Sequence, residues 1–113
     1  MRSVLIAALL AAAPLPLAAH TAVGRTVPAE GATVAEVPEL RVPFDGPMRI
    51  TFVELTRDGV AVPLAREGGF DPVPALEAAP EGPLVPGAYL LDWRGLAADG
   101  HPMTGTLRFT VAP

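Results

Sequence analysis

The chain has 113 residues, a formal net charge of −4 and no cysteine. Its eight basic residues are all arginines, scattered along the sequence, which argues against nucleic acid as a partner because phosphate binding needs clustered cations. The lack of cysteine excludes disulfides, a lipid-modified cysteine, thiolate zinc sites, iron–sulfur clusters and thiol catalysis.

In chain order, residues 1–19 read as a secretory signal peptide: Arg2 supplies the positive charge, and VLIAALLAAAPLPLAA follows as a charge-free apolar run ending in Ala18-Ala19. Residues 4–19 fall short of the roughly 20 apolar residues that cross a bilayer, and they include Pro14 and Pro16. Cleavage after Ala19 makes His20 the first residue of a ninety-four-residue domain, 20–113, with seven arginines against twelve acids and a net charge of −5. A domain of that size buries only about 60 to 65% of its unfolded surface.

No stretch after the signal has apolar residues at helical spacing, and fourteen prolines and eleven glycines cut the chain into short pieces. An all-β fold follows. A first strand is expected near 22–27, a turn at Pro28-Ala29-Glu30-Gly31, and a second strand near 39–44. Asp45-Gly46-Pro47 then interrupts the chain. Residues 49–57 are β-rich, and Asp58-Gly59 before VAVPL signals a two-residue hairpin. Residues 65–86, rich in Pro, Gly, Ala and Glu, are expected to form a long loop with a short strand or helical turn around 75–79. After Pro86-Gly87, AYLLDWR puts Tyr89, Leu91 and Trp93 on one face, and Leu90, Asp92 and Arg94 on the other. Trp93 is read as core, Tyr89 as bonding to backbone at a strand corner, and Glu54, Asp92 and Arg94 as solvated strand faces. The last strand, 104–111, turns Leu107, Phe109 and Val111 inward. About seven such strands pack as an Ig-like or Greek-key β-barrel or sandwich.

The chemistry concentrates on the two histidines, His20 and His101. Asp99-Gly100-His101-Pro102 joins the last two strands, and residues i and i+2 of extended backbone point the same way, so the Asp99 carboxylate and His101 imidazole can converge. The competing reading is a turn in which Asp99 bonds to nearby backbone amides and His101 faces solvent. His20 adds something that an internal histidine cannot. At a free N-terminus it offers both an α-amine and its own ring Nδ1, which close a chelate on one ion. The amine must lose a proton to bind, so affinity falls in acid. Together with His101 and Asp99 this makes three nitrogens and a carboxylate, a set that suits Cu(II).

The sequence resembles the CopC-type periplasmic copper-binding proteins over the whole of residues 20–113. The likeness is carried by HTAVGRTVPAEGATV, LRVPF and PGAYLLDWRGLAADGHPMTGTLRFTV. A histidine at the mature N-terminus, the Pro-Ala-Glu-Gly turn eight residues later, the Tyr-x-x-x-Trp-Arg strand and the Asp-Gly-His-Pro loop stand in the family's order and spacing. The resemblance implies a seven-stranded Greek-key β-barrel or sandwich that binds one Cu(II) ion through the amine and ring of His20, the ring of His101 and the carboxylate of Asp99. It also implies a periplasmic monomer whose partners are copper and a copper-transporting inner-membrane protein. Some members carry a methionine-rich segment with a further histidine that binds Cu(I); here no methionine lies between Arg49 and Pro102. Met103 is read as a packing residue. Alanines stand at 97 and 98, where many relatives have a hydroxyl residue, and Ala22 stands where others have a second histidine.

The leading function is therefore Cu(II) sequestration or delivery in copper resistance, without catalysis. Two other classes are weighed against it. A histidine brace also serves copper oxygenases that cleave polysaccharides, but there an open position for oxygen stands where Asp99 would bind, and no flat aromatic surface for a glycan is evident. The third is an Ig-like interaction module in which both histidines are incidental. A serine hydrolase is excluded because no serine follows Ser3.

Overall fold

The computed structural model describes residues 23–113. The expected signal peptide, the cleavage junction and His20 lie outside the described residues. The described chain is all-β, with seven strands: β1 (Ala32–Val34), β2 (Leu40–Arg57), β3 (Val60–Val62), β4 (Leu64–Ala65), β5 (Pro72–Pro80), β6 (Gly87–Ala97) and β7 (Pro102–Val111). They form a curled sheet in the order β1-β7-β6-β2-β5-β4, with β3 on the far part of β2. All pairings are antiparallel except β1 with β7. Among the described residues no helix is long and apolar enough to cross a membrane.

The period-two pattern of the last two strands sets the core. Tyr89, Leu91 and Trp93 of β6 and Leu107, Phe109 and Val111 of β7 are all buried. They pack with Leu40, Val42, Met48, Ile50 and Leu55 of β2 and Leu76 of β5. Trp93 is 2% exposed and takes the edge of Phe44 at 5.1 Å between ring centroids. The Tyr89 ring stacks on that of Phe109, and its hydroxyl donates to the carbonyl of Val85 at 2.5 Å, the corner bond expected from the sequence. The Asp58-Gly59 hairpin also forms, with φ of 51° and 79° at the two loop residues, the pair of positive values that a type I′ turn requires. The turn expected at Pro28–Gly31 forms one residue on, over Ala29–Ala32, closed by the Ala32 amide donating to Ala29 O at 3.0 Å.

Four local expectations need correction. Asp45-Gly46-Pro47 does not end a strand: β2 runs through it, and the break appears instead as a register shift against β5 between Pro43 and Met48. Prolines at 43 and 47 cannot donate to a ladder, so the strand bends there without stopping. The expected first strand reduces to isolated bridges, Val23 with Phe44 and Val27 with Arg41. Pro43 and Pro28 again lack the N–H groups that would continue it. The expected 65–86 loop is interrupted by a strand, since the nine residues of β5 lie within it, with Ala65 of β4 at its start, and the suggested element at 75–79 falls inside β5. β5 tolerates its prolines because, apart from Ala79 and Pro80 against β4, only its β2 side is paired. Finally, β1 was not foreseen; three residues give no readable alternation.

Candidate metal centre

The β6–β7 connection is a tight hairpin loop and builds the site from the backbone outward. The Gly100 amide donates to Ala97 O at 2.8 Å, and the Ala97 amide donates to His101 O at 2.9 Å. Gly100 has φ 89°, a value that a side chain would resist. An i→i+3 turn followed by a glycine of positive φ is the usual three-residue hairpin loop. Asp99 and His101 are therefore brought together by a turn rather than by extended backbone.

Within that loop Asp99 makes two contacts with His101. Its Oδ1 accepts the His101 backbone amide at 3.0 Å, and its Oδ2 lies 2.7 Å from His101 Nδ1. Accepting the amide, and then the ring, holds the Asp99 carboxyl below its ordinary value of 3.8. An ionised Asp99 keeps the proton on Nδ1, which leaves the Nε2 lone pair for another partner. The two side chains are 65% and 76% exposed, so the pair is a surface feature that contributes little to stability. The turn reading and the convergence reading both hold: the same carboxylate caps the backbone and orients the ring.

The long β2 strand delivers a second wall. Its register places Met48 opposite Ala97 and Arg49 opposite Leu96, and this sets Asp45, Gly46 and Pro47 beside Ala97, Ala98 and Asp99 around a shallow cleft of about 290 Å³. Asp45 and Pro47 were not anticipated as neighbours of the site. Their sequence signal was that of a chain breaker, and only strand pairing reveals the proximity. Met48 is fully buried in the core and Met103 packs against it, as expected for Met103. Among the described residues no group of three or more His, Asp or Glu side chains could hold a metal, so Asp99 and His101 do not make a metal site by themselves. One imidazole nitrogen and one carboxylate suit a borderline divalent ion of the first transition row.

Comparison with known proteins covers nearly the same span as this architecture. Residues 23–112 match the family model of the CopC domain. The chain is 31% identical over 103 residues to copper resistance protein C of Pseudomonas syringae pv. tomato, covering 82% of this chain and 81% of that protein. It is 31% identical over 104 residues to copper resistance protein C of Escherichia coli, with 82% of each covered. Among solved structures, PcoC of Escherichia coli, described as a methionine-rich copper resistance protein, superposes with a TM-score of 0.67 at 29% identity, over 82% of this chain and 99% of that one. CopC of Methylosinus trichosporium OB3b shares the fold with a TM-score of 0.68 at 23% identity, over 83% and 95%. With its family model matched over almost the whole described length, the chain belongs to the CopC family.

Proposed function

We propose that the chain is a periplasmic copper-binding protein of copper resistance, holding one Cu(II) ion at a mature N-terminus created by cleavage after Ala19. The α-amine and ring Nδ1 of His20 close a chelate on the ion, His101 adds a third nitrogen, and Asp99 supplies carboxylate oxygen while keeping the His101 ring in place. A carboxylate accepts at more than one lone pair on each oxygen, so the ring contact and a metal contact are compatible. Three nitrogens and an oxygen suit Cu(II), which also stands highest among the first-row divalent ions in affinity.

The observation that carries this reading is the bridge between Val23 and Phe44. His20 stands three positions before Val23, a reach of at most about 10 Å, and the residues that follow Phe44 wall the cleft shared with Asp99. The described chain thus begins beside the part of β2 that runs on to the Asp99 cleft, which supports the reading. The relatives' names, copper resistance protein C in two organisms, support the same cargo. Cu(I) is disfavoured as cargo, since the stretch between Arg49 and Pro102 has no thioether. The role is carriage, with an inner-membrane copper transporter as the protein partner. Asp99 fills the position that an oxygen-activating brace keeps open.

The test is a Cu(II) titration by calorimetry and electron paramagnetic resonance on protein that begins at His20, alongside a form that retains Ala19. The first binds one ion tightly with a nitrogen-rich spectrum, and the second loses the tight site because its His20 nitrogen is an amide. Equal affinity in the two forms overturns the proposal.

A further inference from the structure

The face of the sheet opposite the core carries a charge pattern that the copper site does not use. On β6, the central strand of the β2–β6–β7 part, the outward positions are Leu90, Asp92, Arg94 and Leu96. Arg94 is exposed, Leu96 is 37% exposed, and Leu90 and Asp92 are half-buried. Read in either direction the series runs leucine, charge, opposite charge, leucine, so it is complementary to its own reversal.

We propose that this face is a docking surface for a second copy of the chain, with the two β6 strands antiparallel across a two-fold axis that lies in the interface between Asp92 and Arg94. Such a contact is isologous. Each Arg94 meets the Asp92 of the second copy, and each Leu90 meets its Leu96. The inference is independent of what the chain carries, and it alters the expectation of a simple monomer.

Two observations within one chain support it. Glu54 stands directly opposite Asp92 across β2 and β6, a like-charge pair that costs stability. Among the described residues the ion pair present is His101 with Asp99, so no arginine answers either acid. Arg94 is instead laid over the ring of Phe52, 4.8 Å from its centroid. That contact fixes the guanidinium and leaves its N–H edge available for a carboxylate. A second copy supplies the missing countercharge to a side chain already held in place, which lowers the ordering cost of binding. Three strands spaced about 4.8 Å apart and seven residues rising about 3.4 Å each give a face on the order of 10 by 20 Å. That is well below the about 800 Å² per partner of a standard stable interface, so the association is weak and sensitive to salt. The antiparallel arrangement sends the two 97–101 loops to opposite ends and leaves both open.

Sedimentation velocity on the metal-free mature chain, from micromolar to millimolar concentration at low salt, reads the prediction directly. The weight-average mass rises toward that of a dimer, and high salt suppresses the rise. Asp92→Arg and Arg94→Asp each abolish self-association. An equimolar mixture of the two variants associates roughly tenfold or more tightly than the unchanged chain, because positions 92 and 94 are then both cationic in one copy and both anionic in the other. The double exchange D92R/R94D restores the pattern and with it the self-association. A monomer mass at every concentration, or a mixture no tighter than the unchanged chain, overturns the proposal. Should a single reversal fail to fold by circular dichroism, the concentration and salt series on the unchanged chain decides alone.

Discussion

Asp99 holds His101 at two points, its Oδ1 on the backbone amide at 3.0 Å and its Oδ2 2.7 Å from the ring Nδ1. The turn needs only the first contact, and the ring's orientation needs the second. Asp99→Asn separates the two roles, since the amide oxygen still accepts the His101 N–H while the negative charge is gone. The expected outcome is a melting temperature unchanged from the parent, because the pair is exposed, with Cu(II) affinity reduced about 10- to 100-fold, the usual cost of losing a carboxylate beside a metal-binding histidine. A competition titration against a chelator of known affinity, paired with thermal denaturation, checks both halves.

The pH dependence of binding follows from which group titrates where. The Asp99 carboxyl lies below its ordinary 3.8, held there first by the His101 amide and then by its ring. A depressed folded-state value contributes stability that is present above the ordinary value and lost only as pH falls through the lower one. Asp99 therefore stays ionised across neutral and mildly acidic pH. The α-amine of a processed His20 does change there, from an ordinary value of about 7.7 to 8.0. Copper affinity should fall by at least about tenfold per pH unit below that value. Asp99→Asn should show the same slope as the parent. Affinities measured between about pH 8 and about pH 5 decide the matter, and a flat profile would remove the amine from the ligand set.

Alternation made β6 and β7 readable, because Tyr89, Leu91, Trp93, Leu107, Phe109 and Val111 are large apolar residues at every second position, with Asp92, Arg108 and Thr110 among those between them. β5 was harder to read because its buried residues include Ala75 and Ala78, and prolines stand at 72, 74 and 80. The same Asp-Gly-Pro string can end a strand or bend one, and only the pairing of Met48 with Ala97 shows that β2 continues. Asp99 and His101 were legible as a pair from their spacing. The closeness of Asp45 and Pro47 to them was not, since it arises from the pairing of Met48 with Ala97, forty-nine positions apart in sequence.

Tyr89 tests the corner that launches β6. Its hydroxyl is committed to Val85 O, while its ring is buried and stacked on Phe109. Tyr89→Phe keeps the ring and removes only the donor. Val85 is 54% exposed, so water can satisfy the freed carbonyl, and the expected loss is about 1 kcal/mol. Urea denaturation followed by circular dichroism measures it. A loss several times larger would mean that the corner bond organises more of the sheet than one contact.

Two glycines on the inner face of this sheet predict costs of different size for the same change. At Gly105 an added Cβ would lie 2.6 Å from three atoms of the Trp93 indole, and Trp93 is its cross-strand partner. That ring is rigid, buried and flanked by Phe44, so a methyl group can enter only if the indole and the β6–β7 pairing move. Overpacking of this kind costs about 1 to 3 kcal/mol. At Gly95 the atoms met first are Cγ and Sδ of Met48, at 2.8 and 2.9 Å, with Arg49 O at 3.0 Å. A thioether has three rotatable bonds and can yield where an indole cannot. Gly105→Ala is therefore expected to destabilise the domain more than Gly95→Ala. Trp93 is the single tryptophan of the chain, so its emission follows urea unfolding in both variants and also reports, in the native baseline, whether the indole has moved. A red-shifted native spectrum for Gly105→Ala alone is the expected signature, and equal losses in the two variants would show that the sheet relaxes around the indole as readily as around the thioether.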